Sequence, residues 1–173
     1  MKQMHFQSNN VLNVYDDGSF DLKLDQTGIY QCRPTLDGEC PSSIEAVKST
    51  DTEISITYGF SDCELELTFS GTETGLTIKP SLLKFERSKL TALSVIDHAF
   101  LVNFDNVLVH GYFSWDKSAF LSAGQIKSEV SYGMSAVKTN HSNIIMGFLE
   151  HHEMMHTLEF VRSDAMTRLR TCS

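Results

Sequence analysis

Hydrophobic and polar residues alternate at every second position over much of the chain. The pattern is clearest at 20–24, 54–60 and 63–69. A period of two places one face of a strand in a core and the other in water, as in antiparallel sheets with one solvated face. The turn-forming residues Asp-Asp-Gly-Ser at 16–19 join the run at 20–24 to an earlier run at 11–15, which predicts a hairpin.

Turn-forming and strand-breaking residues divide the next part of the chain into short segments. Residues 71–75 begin and end with glycine and return the chain into a strand at 76–79. Pro80 is expected to end that strand, because proline has no N–H to donate to a ladder. Residues 81–87 suit one helical turn, and 117–129 suit either a loop or a short helix. Further short strands are expected at 90–96, 99–104 and 107–115.

The number and spacing of these strands predict the fold class. Many short strands between turns are typical of a sandwich or a barrel, and the uneven strand lengths favour the sandwich. No long helix is required before residue 140, and no linker or internal repeat divides the chain. We therefore predict an all-β fold, with residues 1–173 forming a single antiparallel β-sandwich domain. It is supersandwich-like, built from hairpins, with few or no helices.

Composition excludes several classes of function. The chain has 173 residues, of which 41% are hydrophobic, and a formal net charge of −8. No stretch concentrates Lys and Arg, which argues against a nucleic-acid partner. No apolar run approaches the ~20 residues of a membrane helix, and the N-terminus lacks the apolar region of a secretory signal. We expect a cytoplasmic protein that needs no cofactor.

The cysteines do not form a metal-binding pattern. Four of them occur at irregular spacings without a C-x-x-C pair, which excludes a zinc ribbon. Cys32 and Cys40 flank residues 33–39, a segment containing proline and glycine that we expect to be a loop. In an oxidising compartment, a disulfide between Cys32 and Cys40 across this loop is an alternative. For a chain without a secretory signal, free thiols are the expected state.

The sharpest motif is His152-Glu153-Met154-Met155-His156, which matches H-E-x-x-H. On a helix, the two histidines of this motif bind zinc and the glutamate polarises the zinc-bound water, as in metalloproteases. One hypothesis is therefore a zinc site with His152 and His156 as ligands and Glu153 as the base. A third ligand is missing, since the metzincin extension needs Gly and His where Glu159 and Arg162 stand.

The residues around this motif favour a strand, a turn and a strand over 144–161. Apolar residues at 144–149 precede a polar run at 150–153, and alternation resumes at 157–160. In such a hairpin the two histidines do not converge at helical spacing. We therefore interpret the match as a coincidence in a polar turn and expect no metal.

A second unusual segment, Val-Leu-Val-His-Gly-Tyr-Phe-Ser-Trp-Asp at 107–116, contains the only tryptophan. Glycine within a strand often permits the close approach of a ligand, and aromatic rings beside polar groups suit the C–H faces of sugars. Tyr112, Trp115 and Asp116 are the candidate carbohydrate contacts. Alternation equally allows Phe113 and Trp115 to be large core residues on the side of the strand's valines, with no ligand.

This segment resembles the Asn-Gly-Tyr-Gln-Ser-Trp element in the N-terminal β-sandwich of glycoside hydrolase family thirty-six, the melibiase-type α-galactosidases. The matching residues are Gly111, Tyr112, Ser114 and Trp115. His110 and Phe113 stand where the family has Asn and Gln, so hydrogen bonds made by those side chains do not carry over. Residues 145–149 and the strand 156–161 are similar to the Gly-Phe hairpin late in the same domain, and the order of the two elements agrees.

The resemblance implies a noncatalytic sandwich that packs against a (β/α)₈ barrel, on which the family carries its two catalytic carboxylates. The chain would then be the N-terminal part of a longer protein and would help to shape a carbohydrate site. Its expected partners are a carbohydrate and the barrel domain, with no nucleic acid and no membrane. Assembly into a homo-oligomer is a further possibility. Two alternatives remain: a small zinc metalloprotease using 152–156, and a free-standing carbohydrate- or protein-binding sandwich.

Overall fold

A computed structural model describes residues 1–7, 9–86, 88–111, 118–149, 155–164 and 166–173. Within these ranges every regular element is a β-strand with antiparallel partners, and no helix occurs. The predicted fold class, an all-β antiparallel β-sandwich with few or no helices, is confirmed. The described residues accordingly contain no helix that is long and apolar enough to cross a membrane.

Seventeen strands lie within the described residues and form three sheets. In chain order they are β1 (Lys2–Phe6), β2 (Asn10–Val14), β3 (Phe20–Leu24), β4 (Thr27–Leu36), β5 (Ser43–Ser49), β6 (Glu53–Gly59), β7 (Cys63–Gly71), β8 (Leu76–Phe85), β9 (Leu93–Asp97), β10 (Ala99–Val102), β11 (Asn106–Val109), β12 (Ala119–Ser122), β13 (Ser128–Tyr132), β14 (Met134–Lys138), β15 (Asn143–Gly147), β16 (Thr157–Ser163) and β17 (Met166–Cys172). Most strands pair with a neighbour in the chain, as hairpins do.

The large sheet joins the two ends of the chain. Its described strands lie in the order β1-β2-β3-β4-β10-β17-β16-β13, and β9 pairs with the second half of β4. A second sheet has the order β5-β6-β7-β8, and a third, which we call the small sheet, has the order β12-β11-β14-β15. The pairing of β10 with both β4 and β17 connects the N-terminal hairpins to the C-terminal pair of strands.

The hairpin predicted over 11–24 is confirmed. β2 and β3 pair from Val11–Lys23 to Val14–Phe20, and the Tyr15 N–H donates to the Ser19 carbonyl at 2.9 Å to close the turn. Gly18 in this turn has a φ of +74°, a left-handed conformation that glycine adopts without a steric penalty. The alternating runs at 54–60 and 63–69 form β6 and β7, and the structure shows that these two strands pair with each other.

Pro80 does not end its strand. β8 continues through Pro80 to Phe85, so both the predicted strand end and the helical turn predicted at 81–87 are wrong. β8 lies at the edge of its sheet, where the side turned away from β7 makes no ladder bonds. A residue without an N–H is tolerated on such an edge.

The prediction of a loop at 33–39 is wrong for the first half of the segment, because β4 runs through Pro34 to Leu36. Pro34 lies where the register of β4 and β9 shifts between Arg33 and Thr35. An irregularity of this kind interrupts the ladder and removes the demand for an N–H at the proline.

Other sequence expectations need smaller corrections. The segment 117–129 contains strand β12 and the start of β13 rather than a helix. The strands expected at 90–96 and 99–104 are present as β9 and β10 with shifted ends. β11 ends at Val109 although the prediction extended to 115, and residues 112–117 lie outside the described residues.

Side chains from all three sheets meet in one hydrophobic cluster. Where the N-terminal hairpins pack against the second sheet, the Phe20 and Phe69 rings meet edge to face, with 4.9 Å between centroids and 69° between planes. Tyr58 is fully enclosed, and its hydroxyl donates to the Gly18 carbonyl at 2.8 Å. Burial raises the pKa of Tyr58, which keeps this hydroxyl a donor. That residues 1–173 form a single domain stays a prediction.

One polar group on the outer face of the large sheet is held inside a network of hydrogen bonds. Asp21 is nearly buried, and its two carboxylate oxygens accept the Gln31 N–H at 2.8 Å and the Tyr15 hydroxyl at 2.7 Å. Gln31 has a φ of +61°, and Asp21 provides the hydrogen-bond acceptor for the Gln31 N–H at this irregular position in β4. The bond to Asp21, together with desolvation, raises the pKa of Tyr15 to about 12.

None of the four cysteines forms a disulfide bond. Cys32 is completely buried in the core, and burial raises its pKa well above the ordinary value. Cys40 is exposed, and its sulfur lies 3.8 Å from Nε2 of His98. Cys32 and Cys40 therefore lie in different environments, one in the core and one at the surface.

Candidate functional site

The aromatic segment identified in the sequence lies in the connection between β11 and β12. The last residue pair between β11 and β12 is Val109–Ala119. Beyond this pair, Nδ1 of His110 lies 2.8 Å from the Ser118 hydroxyl. This contact closes the base of the connection. The carbohydrate-contact candidates Tyr112, Trp115 and Asp116 lie outside the described residues.

The H-E-x-x-H segment lies in the connection between β15 and β16. The predicted strands on either side are present, since β15 ends at Gly147 and β16 begins at Thr157. His152 and Glu153 lie outside the described residues, and His156 lies in a non-helical position directly before β16. The described residues hold no group of three or more His, Cys, Asp or Glu side chains placed to bind a metal ion.

His156 is held by aromatic and polar contacts. Its ring stacks on Phe148, with 4.5 Å between centroids and 16° between planes, and this stack closes the base of the β15–β16 connection. Nδ1 of His156 lies 2.9 Å from the Ser173 hydroxyl. Ser173 is in turn fixed by two backbone hydrogen bonds with Leu93, each 2.9 Å long. The imidazole is therefore attached to the rigid end of the large sheet.

The turn between β13 and β14 joins the bases of the two connections. The Tyr132 N–H donates to the His110 carbonyl at 3.0 Å, and the Gly133 N–H donates to the His156 carbonyl at 2.9 Å. The Gly133 carbonyl accepts the Phe148 N–H at 3.1 Å. We call His110, Tyr132, Gly133, Phe148 and His156 the shared loop base. Two segments that are about forty residues apart in sequence thus leave the sheets side by side.

Gly133 is the residue that this junction requires. Its φ is +72°, which places both its N–H and its carbonyl in bonds to the β15–β16 connection. A residue with a Cβ pays a steric cost in this conformation. One signal for this turn is visible in the sequence: a Tyr-Gly pair lies between two short alternating runs, and it marks a turn but not its partners.

Two buried serine hydroxyls, on β13 and β14, form hydrogen bonds to the end of β11 and the residue after it. The Ser131 Oγ accepts the His110 N–H at 2.8 Å and donates to the Met134 carbonyl at 2.6 Å. The Ser135 hydroxyl donates to the Leu108 carbonyl at 2.7 Å. Both serines are fully buried, while the residues that they bond are only partly buried.

Ser131→Ala is expected to lower the free energy of unfolding by about 1–3 kcal/mol, because it removes two hydrogen bonds made by a fully buried hydroxyl. Urea titration of both proteins measures the change. The matched control is Ser118→Ala, an exposed serine that also contacts His110, and it should cost less than about 0.5 kcal/mol. Equal effects of the two substitutions would contradict the bridging role of Ser131.

Four of the five residues of the shared loop base carry aromatic rings. They are two imidazoles, one phenol and one phenyl ring, and none of the five residues is a carboxylate. Near it, burial raises the pKa of the Cys172 thiol, which is therefore a poor nucleophile. Imidazole and phenol groups can form hydrogen bonds to polar ligands.

A separate cleft lies at the other end of β15. It is open, has a volume of about 190 Å³, and is lined by Gln7, Asn9, Asn10, Leu24, Asp25, Ser142, Asn143 and Ile144. Nδ2 of Asn10 donates to Oε1 of Gln7 at 3.1 Å across its rim. Asn143 and Gly147 mark opposite ends of β15, so the cleft is roughly 13 Å from the shared loop base. Its lining residues come from three connections, β1–β2, β3–β4 and β14–β15, and the sequence pattern did not bring them together.

Comparison with known proteins does not assign the chain. No protein-family model, no curated protein and no solved structure matches it.

Proposed function

We propose that the chain is a noncatalytic β-sandwich domain of an α-galactosidase-like glycoside hydrolase, which contacts carbohydrate through the β11–β12 connection. The observation that carries the proposal is the shared loop base. The two segments that resemble the N-terminal sandwich of glycoside hydrolase family thirty-six, around 110–116 and 145–161, leave the sheets side by side at Tyr132 and Gly133. Segments that form one site in a fold must lie close together in space.

The scaffold under these connections suits a binding role. Functional loops are most often carried by rigid strands whose ends fix where the loop begins. Here the β11–β12 connection begins at a buried serine bridge, and the β15–β16 connection begins at a ring stack. Tyrosine and tryptophan combine an apolar ring with a hydrogen-bonding group. Tyr112 and Trp115, supported by Asp116, thus match the alternating C–H and hydroxyl surfaces of a sugar.

The proposal assigns no catalysis to this chain. Glycoside hydrolysis requires two carboxyl groups that face the scissile bond, about 5 to 10 Å apart. The shared loop base has no carboxylate, and the resemblance places the catalytic pair on a barrel domain. The role of the sandwich is then to complete one side of a sugar site.

Fluorescence of the single tryptophan provides the test. Because Trp115 is the only tryptophan, every change in tryptophan emission reports on this segment. Titration with melibiose and raffinose, which carry α-galactosyl groups, should give a saturable change, whereas maltose should give none. Calorimetry of Trp115→Ala should show at least about tenfold weaker binding, since one stacked ring contributes over 1 kcal/mol.

The control variant for this test is Tyr30→Ala, which removes a half-buried aromatic residue from the outer face of the large sheet. It should bind the galactosides like the unmodified protein. The proposal fails if emission does not respond to any galactoside, or if Trp115→Ala binds as well as the unmodified protein. Stoichiometric zinc in the purified protein that disappears in His156→Ala would instead support the metalloprotease hypothesis.

A further inference from the structure

The small sheet carries a row of apolar side chains on each of its two faces. On the inner face, one cross-strand row consists of Leu121, Val107, Val137 and Ile144, and all four belong to or pack against the hydrophobic cluster. The neighbouring row points the other way, because successive residues of a strand alternate between faces. That outer row consists of Phe120, Leu108, Ala136 and Ile145.

This outer row is exposed to solvent at its two ends, Phe120 and Ile145, and half-buried at Leu108 and Ala136. Ile145 is 74% exposed and Phe120 is 54% exposed, and Met134, one step along the same face, is 40% exposed. Apolar side chains grouped on one exposed sheet face make it a candidate contact surface. A sheet with one face in water normally carries polar residues there, as β5 and β6 do with their serines, threonines and glutamates.

The charge on this face indicates what could cover it. The outward positions of the four strands are Asn106, Leu108, Phe120, Ser122, Met134, Ala136, Lys138, Asn143, Ile145 and Gly147. None of these is acidic, although the chain carries a formal net charge of −8. Two copies of an acidic protein repel each other least when they meet through faces without carboxylates.

The order of side chains across the outer row is complementary to itself. A twofold axis parallel to the strands, between β11 and β14, places β12 of one copy over β15 of the other. Phe120 then faces Ile145 of the second copy, and Leu108 faces Ala136, which sets a larger side chain against a smaller one in each layer. The same patch thus serves both subunits, as a symmetric dimer requires.

We propose that the outer face of the small sheet packs against the same face of a second copy of this chain. Two apolar sheet faces stack about 10 Å apart with interdigitating side chains. Four strands of four or five residues give a face of roughly 15 by 15 Å, which is smaller than the ~800 Å² per partner of a standard interface. The dimer is therefore weak and reversible. This inference is independent of any carbohydrate.

Sedimentation velocity over a concentration series tests the dimer. From about 5 to about 500 µM, the unmodified chain should shift from its 19.4 kDa monomer toward twice that mass. Ile145→Glu should weaken the dimer at least tenfold without unfolding the chain, because this side chain is already in water. The matched control is Leu83→Glu, which places the same charge at a 51% exposed leucine on β8, and it should leave the dimer unchanged.

A charge-pair variant tests the arrangement itself. Phe120→Lys alone should also weaken the dimer at least tenfold, whereas Phe120→Lys with Ile145→Glu should recover a large part of the loss, because each Lys then faces a Glu of the other copy. A chain that stays monomeric at about 500 µM overturns the proposal. A dimer that Ile145→Glu does not weaken, or that the double variant does not restore, overturns it as well.

Discussion

Phe69→Ala is expected to lower the free energy of unfolding by about 3–5 kcal/mol, the largest effect of any substitution considered. Phe69 is fully buried near the end of β7, between Ile54 and Ile78 in the ladder. Its ring also packs edge to face on Phe20 of the large sheet. The substitution removes both the buried area and the aromatic pair that joins two sheets, and it leaves a cavity that strands on either side prevent from collapsing.

Urea denaturation followed by circular dichroism measures this loss, with the slope of the transition checked for constancy. Phe120→Ala is the matched control, because it removes the same ring from an exposed position. At a few micromolar it should change stability by no more than about 0.5 kcal/mol. A loss below about 1 kcal/mol at Phe69 would contradict the packing of β7 against the large sheet.

Gly18→Ala is the second large effect, with an expected loss of about 2–4 kcal/mol. Gly18 has a φ of +74°, and an added Cβ would lie 2.2 Å from Cδ1 of Ile44 and 3.1 Å from Cε1 of Tyr58. Ile44 can rotate away only by disturbing its own packing, and the Tyr58 ring is enclosed. The hydrogen bond from the Tyr58 hydroxyl to the Gly18 carbonyl is strained at the same time.

Gly38→Ala separates the two causes of this loss. Gly38 has a φ of +82°, but an added Cβ would meet nothing within 4 Å. Only the backbone penalty of about 1–2 kcal/mol applies there. Thermal or urea unfolding of both variants should therefore show a larger loss at Gly18. Equal losses would mean that the turn of the first hairpin does not pack on the second sheet.

The fold class could be predicted because each hairpin carries its own local pattern. The run at 20–24 alternates strictly, and a turn with a glycine precedes it, so both the pairing and the buried face follow from about ten residues. The same holds for 54–60 and 63–69. At Pro34 and Pro80 the rule that proline ends a strand failed, because the cost of a missing N–H depends on the neighbouring strand. Pro80 is on an edge, and Pro34 is at a register shift.

The shared loop base could not be predicted, since its contacts are made by main-chain atoms far apart in sequence. His110, Gly133 and His156 meet through N–H and carbonyl groups, which every residue possesses and which leave no pattern of side chains. The sequence did identify both segments as unusual, one by its aromatic residues and one by its histidines. What it lacked was the pairing of β13 with β16 and the glycine turn that brings the two together.

The central claim, that the connections leaving the shared loop base contact carbohydrate, is tested most directly by mapping amide chemical shifts of the isotope-labelled chain during titration with raffinose. The account predicts saturable shifts at Gly111, Ser118, Tyr132, Gly133 and Phe148, together with the segment between 111 and 118, while the open cleft at Asn9 and Asn143 stays unchanged. Shifts confined to that cleft, or no saturable shifts at all, would contradict it.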